Sequence, residues 1–374
     1  MRSKRIESID ILRGLVIALM TIDHTREFFL MASPLSDPMN LEETSAGVFF
    51  SRWLAHLCAP TFIFLAGISA YLYGQKVSRT TLSSFLLKRG IFLVLLEVTV
   101  INFAWVFSFP PSMLYLQVIW AIGLSMIALA GIVWLPKLWV VIIALFLIAG
   151  HHLLSGIAFE GGVGKVLWSI LYERSIIQVA DGTSARTSYP ILPLIGIISL
   201  GYLYGIIFSK NYRPEKRKST LLISSLICVT LFVMLRFSNL YGENNLFEVF
   251  SGDFTKTAMS FFNLTKYPPS LLFTLMTLSL SFLLLHYLDS LKGLLKNIIL
   301  NFGRVPMFYY ILHLYVLHII YNITVFLVGV PMYSVPNIGV VWLISIATLA
   351  LLYPAVTWFS ALKERSNNQL LRYL

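Results

Sequence analysis

The sequence predicts an all-α protein, a polytopic membrane bundle of about ten transmembrane helices. Of the 374 residues, 57% are apolar, and the mean hydropathy is +0.80. Long stretches carry no charge. A membrane helix needs about 20 mostly apolar residues, and the sequence contains these stretches in order: 9–31, 47–74, 83–108, 113–133, 137–155, 191–209, 219–238, 269–288, 303–328 and 339–361. The linkers are too short for another folded domain, so residues 1–374 are expected to form one integral membrane domain.

The basic residues are distributed unequally between the loops on the two predicted sides. With a cytoplasmic N-terminus, the inner segments carry sixteen Lys and Arg residues and the outer segments carry five. Short basic loops favour the cytoplasm, so both termini are predicted to be cytoplasmic. The net charge of +11 then follows from topology and does not indicate nucleic-acid binding. Cys58 and Cys228 lie in predicted spans and suggest neither a disulfide framework nor a metal site.

The first span contains four ionisable residues close together, Asp23, His24, Arg26 and Glu27. A charged side chain at the centre of a membrane helix costs about 2.5 kcal/mol or more, so this cluster predicts a functional site. A histidine that is neutral near pH 7 is the commonest general base, which makes His24 the leading candidate. The alternative is a structural histidine held by hydrogen bonds.

Arg13 lies near the cytoplasmic start of the same span. Asp10 precedes it by three residues, a spacing that lets the two side chains pair. This pair either sets the depth of the helix or leaves Arg13 at the cytoplasmic mouth, ready for a phosphate. His24 follows Arg13 by eleven residues, which places it on the same helix face about 16 Å away.

Spans two and three contain further polar side chains. Arg52 and His56 are spaced i,i+4, and Pro60 predicts a kink of the kind that often borders a cavity. Lys88 and Arg89 stand at the cytoplasmic start of span three. They either extend to the membrane interface or form an anion site.

Span nine and two other positions complete the set of candidates. Arg304 lies at the cytoplasmic start of span nine, and Tyr309 and His313 share one face at i,i+4. An interhelical hydrogen bond is the alternative function of His313. Glu97, well inside span three, requires a partner or a protonated state. The pair His151-His152 would need further ligands at the same depth to bind a metal or haem.

Five patterns occur along the chain in the following order: R-x-x-SID-x-LRG-x-x-x-x-LM-x-x-DH from Arg5, W-x-x-H-x-CAP-x-F-x-FLAG from Trp53, WAIGLSM from Trp120, KYPPSLLF from Lys266 and GR-x-P-x-FYY-x-x-H from Gly303. Together they resemble bacterial relatives of the heparan-α-glucosaminide N-acetyltransferase family over nearly the whole chain. A more distant similarity connects the chain to the membrane O-acyltransferases of bacterial surface polysaccharides. Those proteins also begin with D-x-LR, followed about ten residues later by a histidine.

The resemblance implies acyl transfer across a membrane by one acyltransferase-like domain, residues 1–374. Cytoplasmic acetyl-CoA would donate an acetyl group to an amine or hydroxyl of a sugar on the outer side, and no metal is expected. The implied location is the inner membrane of a bacterium, with the bilayer, the acyl-CoA and the glycan acceptor as partners. The resemblance leaves open a homo-oligomer.

The implied reaction gives each candidate residue an expected role. His24 acts as general base or acetyl carrier, and Asp23, His56 and His313 are the other catalytic candidates. Acetyl-CoA is assigned to the cations Arg13, Lys88, Arg89 and Arg304. The acceptor is assigned to Arg26, Arg52 and Tyr309. Lysosomal members carry their active histidine in the loop after span one; because loop 32–46 has none, His24 takes that place here.

Two other functional classes fit some of the same residues. A secondary transporter would use the Asp/His/Arg cluster as a proton relay. Transporters often contain internal repeats, whereas the D-x-x-R…DH pattern occurs once in this chain. A haem or quinone membrane subunit would use the histidines and would show a visible absorption band.

Overall fold

The computed structural model describes residues 6–30 and 37–366, and 71% of the structure is helical. The helices of the described residues, numbered α1 to α15, are Glu7–Phe29, Ala46–Ala55, Cys58–Gly74, Arg79–Leu96, Asn102–Val106, Val118–Ile132, Lys137–Ala149, Gly162–Leu171, Leu192–Tyr204, Pro214–Ser238, Phe254–Phe262, Leu271–Leu288, Leu294–Arg304, Pro306–Val328 and Ile338–Arg365. Strands β1 to β3 are Met113–Leu116, Ile176–Ala180 and Thr183–Thr187. Arg2, Lys4, Arg5, Arg372 and part of loop 32–46 lie outside the described residues.

Each of the ten predicted spans contains at least one helix. In the described part of the chain, six helical segments are long and apolar enough to cross a membrane: Ala46–Gly74, Lys137–Leu154, Pro214–Ser238, Leu271–Leu288, Pro306–Val328 and Ile338–Arg365. The prediction of a mostly helical membrane protein is therefore confirmed. The number ten and the cytoplasmic position of the termini stay predictions.

The chain forms two compact units. Unit 1 contains the described parts of Met1–Cys58, Phe247–Asn263 and Tyr287–Leu374, and unit 2 contains Ala59–Leu246 and Leu264–His286. Each unit thus combines segments that are distant in sequence.

In unit 1, α1 is the central helix and packs against α2, α13, α14 and α15. The crossing of α1 and α13 is very close because each helix contributes a glycine, Gly14 and Gly303. A Cβ atom on Gly14 would lie 1.9 Å from the backbone oxygen of Ile299, and one on Gly303 would lie 1.7 Å from that of Asp10. Small residues at such positions let two helix backbones touch.

The apolar core beside α1 lies toward its C-terminal half. Ile22 and Phe29 pack there with Leu317 from α14 and Val341 from α15. This packing holds the second half of α1 against α14. These two helices carry the histidines of the first and ninth predicted spans.

In unit 2, α4 packs against α6, and α9 packs against α6 and α7. Between α4 and α5, the residues Glu97–Ile101 form a π-helical turn. The buried Glu97 accepts a hydrogen bond through Oε2 from the backbone N–H of Trp120 at 2.9 Å. The partner expected for this carboxyl group is therefore the N-terminus of α6, where backbone N–H groups favour negative charge.

A small sheet in unit 2 corrects the all-α prediction. The strand order is β1-β3-β2, with β1 parallel to β3 and β2 antiparallel to β3. Span four was expected to begin at residue 113, but residues Met113–Leu116 form β1 and the helix begins at Val118. A short extended segment that pairs with a strand about 70 residues later carries no local signal of that pairing.

Candidate active site

The polar site of unit 1 lies between α1 and α14, which bring His24 and His313 together. The Nδ1 atom of His24 lies 2.7 Å from the Nε2 atom of His313. The ring centroids are 5.0 Å apart and the ring planes differ by 8°. His313 is fully buried and His24 is 8% exposed. Two of the predicted catalytic residues, 289 positions apart in sequence, thus form one hydrogen bond.

For two neutral rings, the hydrogen bonds assign the tautomer of each histidine. The Nδ1 atom of His313 lies 2.8 Å from the backbone oxygen of Tyr309; a carbonyl oxygen only accepts, so this Nδ1 carries the hydrogen. The Nε2 atom of His313 then has the lone pair and accepts from the Nδ1–H of His24. His24 consequently keeps its own lone pair on Nε2, where it can take a proton from a bound group.

Tyr309 supports this pair from the other side of His313. Its ring stacks on the His313 ring with a centroid distance of 5.0 Å and planes within 2°. The Thr21 hydroxyl donates to the backbone oxygen of Ile17 at 2.9 Å, so it accepts the hydroxyl hydrogen of Tyr309 at 2.8 Å. The ring planes of Tyr309, His313 and His24 are therefore nearly parallel, with Tyr309 stacked on His313 and His24 bonded to the edge of His313.

The local sequence explains how α14 presents these rings. Pro306 occupies the first turn of α14, as predicted, because its fixed φ suits that position. Tyr309 and His313 are one turn apart, so they share a face. Tyr310 follows Tyr309 and lies edge-on to both histidines, at centroid distances of 5.7 Å from His24 and 5.6 Å from His313.

The three charges next to His24 form a network with a fourth partner from α2. Arg26 donates through Nη2 to Asp23 Oδ1 at 3.1 Å and to Glu27 Oε1 at 2.9 Å. Arg52 donates to the other oxygen of Asp23. Asp23 therefore links two arginines, and both of its carboxylate oxygens are engaged. The two arginines and two carboxylates balance in charge, which is how a buried cluster of this kind is tolerated.

His56 lies in the turn between α2 and α3, where it is 1% exposed. Its backbone N–H donates to the oxygen of Trp53 at 3.0 Å. The helical segment is interrupted here and not at Pro60, where the sequence predicted a kink. Pro60 has no N–H for the carbonyl group four residues earlier, so the interruption falls one turn before the proline.

Two of the predicted acetyl-CoA cations lie at the crossing of α1 and α13. Arg13 pairs with Asp10 at 2.8 Å, as its i,i+3 spacing predicted. Arg304 pairs with Glu364 at 3.2 Å. The two arginines adjoin the contacting glycines Gly14 and Gly303, so both are partly exposed cations at one helix crossing. His24 lies eleven residues beyond Arg13 on the unbroken α1, about 16 Å away.

The other two predicted cations, Lys88 and Arg89, lie on α4 in unit 2. Lys88 is exposed and Arg89 is half-buried. The next residue, Gly90, fits against α6, because a Cβ atom there would lie 2.6 Å from the backbone oxygen of Gly123.

Sequence reasoning missed two contributors to the histidine site, Thr21 and Tyr310. Thr21 precedes the Asp23-His24 pair by two residues and looks like an ordinary helix threonine. Tyr310 belongs to the FYY pattern of span nine, but only Tyr309 has the i,i+4 spacing to His313. A helical wheel of α1 alone would have placed Thr21, His24 and Thr25 on neighbouring positions, which was the available signal.

No group of three or more His, Cys, Asp or Glu side chains able to hold a metal ion occurs among the described residues. A family model described as heparan-alpha-glucosaminide N-acetyltransferase, catalytic, matches residues 5–238. No curated protein matches the chain at a significant level. The matched range includes α1, α2 and α4, with His24, Asp23 and Arg52, and α14 follows it in sequence.

Proposed function

We propose that this chain, which belongs to the heparan-α-glucosaminide N-acetyltransferase family, transfers the acetyl group of acetyl-CoA to an amine or hydroxyl of a sugar. Family membership and the apolar helices make it an integral membrane protein with an acyltransferase-type catalytic region. The donor, the role of His24 and the direction across the membrane are our proposal. The observation that carries it is the His24–His313 hydrogen bond, which places the hydrogen of His24 on Nδ1 and leaves the lone pair on Nε2.

In the direct reaction, His24 Nε2 takes the proton of the acceptor O–H or N–H as that atom attacks the thioester carbonyl carbon. The tetrahedral intermediate then releases the CoA sulfur, and the proton on His24 Nε2 passes to that sulfur. A new C–O or C–N bond has replaced the C–S bond, and His24 has returned to its starting state. Burial of the site in the helices limits hydrolysis of the thioester by water.

His313 acts through His24. While His24 holds the extra proton, its Nδ1–H donates a charge-assisted hydrogen bond to His313 Nε2, which is stronger than a bond between neutral groups. The backbone oxygen of Tyr309 keeps His313 in the accepting tautomer. His313 is thus a positioning residue that stabilises the imidazolium form of His24.

The arginines next to the histidines are proposed to bind the acceptor and to stabilise the developing oxyanion. Arg26 and Arg52 are held in place by Asp23, whose two oxygens they share. His56 is a further candidate donor for this oxyanion. The substrate-binding role predicted for Tyr309 requires its hydroxyl to exchange Thr21 for the acceptor.

Acetyl-CoA is proposed to bind through its phosphates to the cations at the predicted cytoplasmic ends. In unit 1 these are Arg13 and Arg304. Lys88 and Arg89, the other two cations assigned to acetyl-CoA, belong to unit 2 and are tested separately. The distance of about 16 Å from Arg13 to His24 along α1 suits an extended pantetheine arm. The acceptor would then approach His24 from the outer side.

A binding measurement tests the donor without knowledge of the acceptor. Acetyl-CoA is titrated against the thermal stability of the purified protein in uncharged detergent, in parallel with dephospho-CoA and with Arg89→Ala. We expect a saturable stabilisation that weakens with either change, because each removes a charged phosphate contact. Lys216→Ala, an exposed cation on α10, is the control. A protein that unfolds identically with and without millimolar acetyl-CoA would contradict the proposal.

Radiolabelled acetyl-CoA tests the role of His24. Protein incubated without acceptor and then denatured retains label on His24 only if an acetyl-histidine forms; unlabelled protein that still transfers acetyl groups indicates direct attack. His24→Ala should lower the rate of transfer to a panel of amino and neutral sugars by about 10² to 10⁴. Full transfer by His24→Ala would sink the assignment, and exchange of an unmodified substrate across vesicles would favour a transporter.

A further inference from the structure

A second polar site lies in unit 2, at the segment that enters α12. Lys266 is 8% exposed, although lysine is among the residues least often buried. Its backbone forms an isolated bridge with Pro269, and the Ser270 N–H donates to the Thr265 oxygen at 2.9 Å. The backbone of Lys266 is therefore part of a tight, hydrogen-bonded turn.

Two aromatic rings lie next to the Lys266 ammonium. Its Nζ atom lies 5.4 Å from the ring centroid of Tyr267 and 5.8 Å from that of Tyr189. The guanidinium of Arg174 lies 4.6 Å from the same Tyr267 ring. The two tyrosine rings contact each other edge to face at 4.9 Å. Two cations from separate segments thus share one aromatic ring.

No carboxylate in the described part of the chain lies within ion-pairing distance of the Lys266 ammonium. The acidic residue that contacts this turn, Glu243, is already engaged. Its oxygens accept from the backbone N–H and the hydroxyl of Thr265 and, at 2.6 Å, from the hydroxyl of Ser270. Glu243 therefore holds the turn together and does not neutralise Lys266.

A buried ammonium without an anionic partner is unfavourable, and the faces of tyrosine rings compensate only in part. We propose that Lys266 and Arg174 form a binding site for an oxyanion, a carboxylate, sulfate or phosphate group. Arginine presents two parallel N–H donors to such a group, and lysine contributes a point charge. The site goes beyond the proposed acetyl transfer and does not depend on it.

The turn is built to keep this site in place without its ligand. Glu243 fixes both ends of the turn through Thr265 and Ser270, and Ser270 also accepts the backbone N–H of Phe273 at 3.0 Å in the first turn of α12. A fixed backbone at Lys266 lowers the entropic cost of ordering its side chain when an anion binds.

The test uses the full-length protein in an uncharged detergent, without any acyl donor. Sulfate, phosphate and glucuronate are titrated at constant ionic strength, adjusted with sodium chloride, and the unfolding temperature is measured. We expect a saturable stabilisation of the wild type, with an apparent Kd at least about tenfold weaker in Lys266→Gln, the loss expected for one charge-assisted contact. Lys165→Gln removes an exposed lysine of the same unit and should respond like the wild type.

Sulfate also stabilises folded proteins in general, and this effect is the same in Lys165→Gln and Lys266→Gln. A difference between the two variants therefore reports binding at Lys266. If Lys266→Gln fails to fold, Arg174→Gln gives the same comparison. A further arm replaces the soluble anions by phosphatidylglycerol or phosphatidylcholine in the micelle; a response to phosphatidylglycerol alone that depends on Lys266 identifies a lipid headgroup as the oxyanion source. Wild type and Lys266→Gln responding alike to every anion would overturn the site.

Discussion

At the scale of single residues, the central prediction is that the contribution of His313 to kcat requires His24. His24→Ala removes the base and should lower kcat by about 10² to 10⁴. His313→Ala leaves the base but removes the acceptor of its Nδ1–H, so kcat should fall while KM changes little. Because His313 acts only through His24, the double variant should be no slower than His24→Ala alone. Steady-state kinetics of the three variants, once an acceptor is identified, provides the measurement.

The control for this comparison is His318→Ala, on the same helix. The His318 ring packs against Phe28 at a centroid distance of 5.2 Å and takes no part in the bond between His24 and His313. Its loss should leave kcat near the wild-type value. A double variant markedly slower than His24→Ala would show that His313 contacts the substrate independently.

Asp23 is predicted to contribute more to stability than its neighbour Glu27. Asp23→Asn leaves Arg26 and Arg52 without their shared counter-ion in a buried site, which should destabilise the fold by about 3 kcal/mol or more. Glu27→Gln is the matched control, because its side chain is 34% exposed and the Asp23 side chain only 11%. A surface-like pair contributes less than about 1 kcal/mol. Denaturant titration in detergent measures both, and equal losses would contradict the network.

The residues of this site were partly predictable from the sequence. The charged cluster after Met20 is visible because ionisable groups are rare in apolar spans. The spacing of Tyr309 and His313 follows from helix geometry. The hydrogen bond between His24 and His313 was not predictable, since it joins two helices 289 residues apart, and a single sequence does not say which helices are neighbours.

At the scale of helices and strands, the crossing of α1 and α13 supports the most specific prediction. Gly303→Ala places a methyl group 1.7 Å from the Asp10 backbone oxygen, so the two helices must separate. We expect a large fall in unfolding temperature and weaker acetyl-CoA binding, because Arg13 and Arg304 adjoin this crossing.

Gly131→Ala is the matched control for the helix crossing. This glycine lies in α6, where an added methyl group would have nothing within 4 Å, and alanine there should stabilise the helix by up to about 1 kcal/mol. Thermal unfolding of both variants in the same detergent decides the comparison. If Gly303→Ala behaved like Gly131→Ala, α1 and α13 would not touch as the structure describes.

The small sheet of unit 2 had a local sequence signal for one of its strand pairs and none for the other. Strands β2 and β3 are joined at Asp181-Gly182, a strong hairpin signal, and Gly182 has the positive φ of 75° that such turns need. The prediction of an all-α protein rested on the apolar composition and did not use this signal. The pairing of β1 with β3 had no local signal, and neither did the contact of Glu97 with the N-terminus of α6.

At the scale of the whole molecule, the charge asymmetry predicts which side each loop faces. The outer assignment of Lys165 and the cytoplasmic assignment of Lys292 follow from sixteen basic residues on one side and five on the other. Both side chains are exposed, so either can be replaced by a cysteine that a reagent reaches. The proposed entry of acetyl-CoA from the cytoplasm depends on this orientation, because the cations assigned to its phosphates lie at the predicted inner ends.

Cysteine labelling in intact cells tests the orientation directly. In a Cys228→Ser background, with Cys58 retained because its thiol is buried and donates to the Val16 oxygen, Lys165→Cys and Lys292→Cys are treated with a membrane-impermeant maleimide. We expect Lys165→Cys to react in intact cells and Lys292→Cys to react only after the membrane is opened. The parent with Cys58 alone should stay unlabelled and is the control. The reverse pattern would place the cations assigned to CoA on the outer side, where no cytoplasmic thioester could reach them, and acetyl transfer from acetyl-CoA would then have to be abandoned even if His24 proved essential.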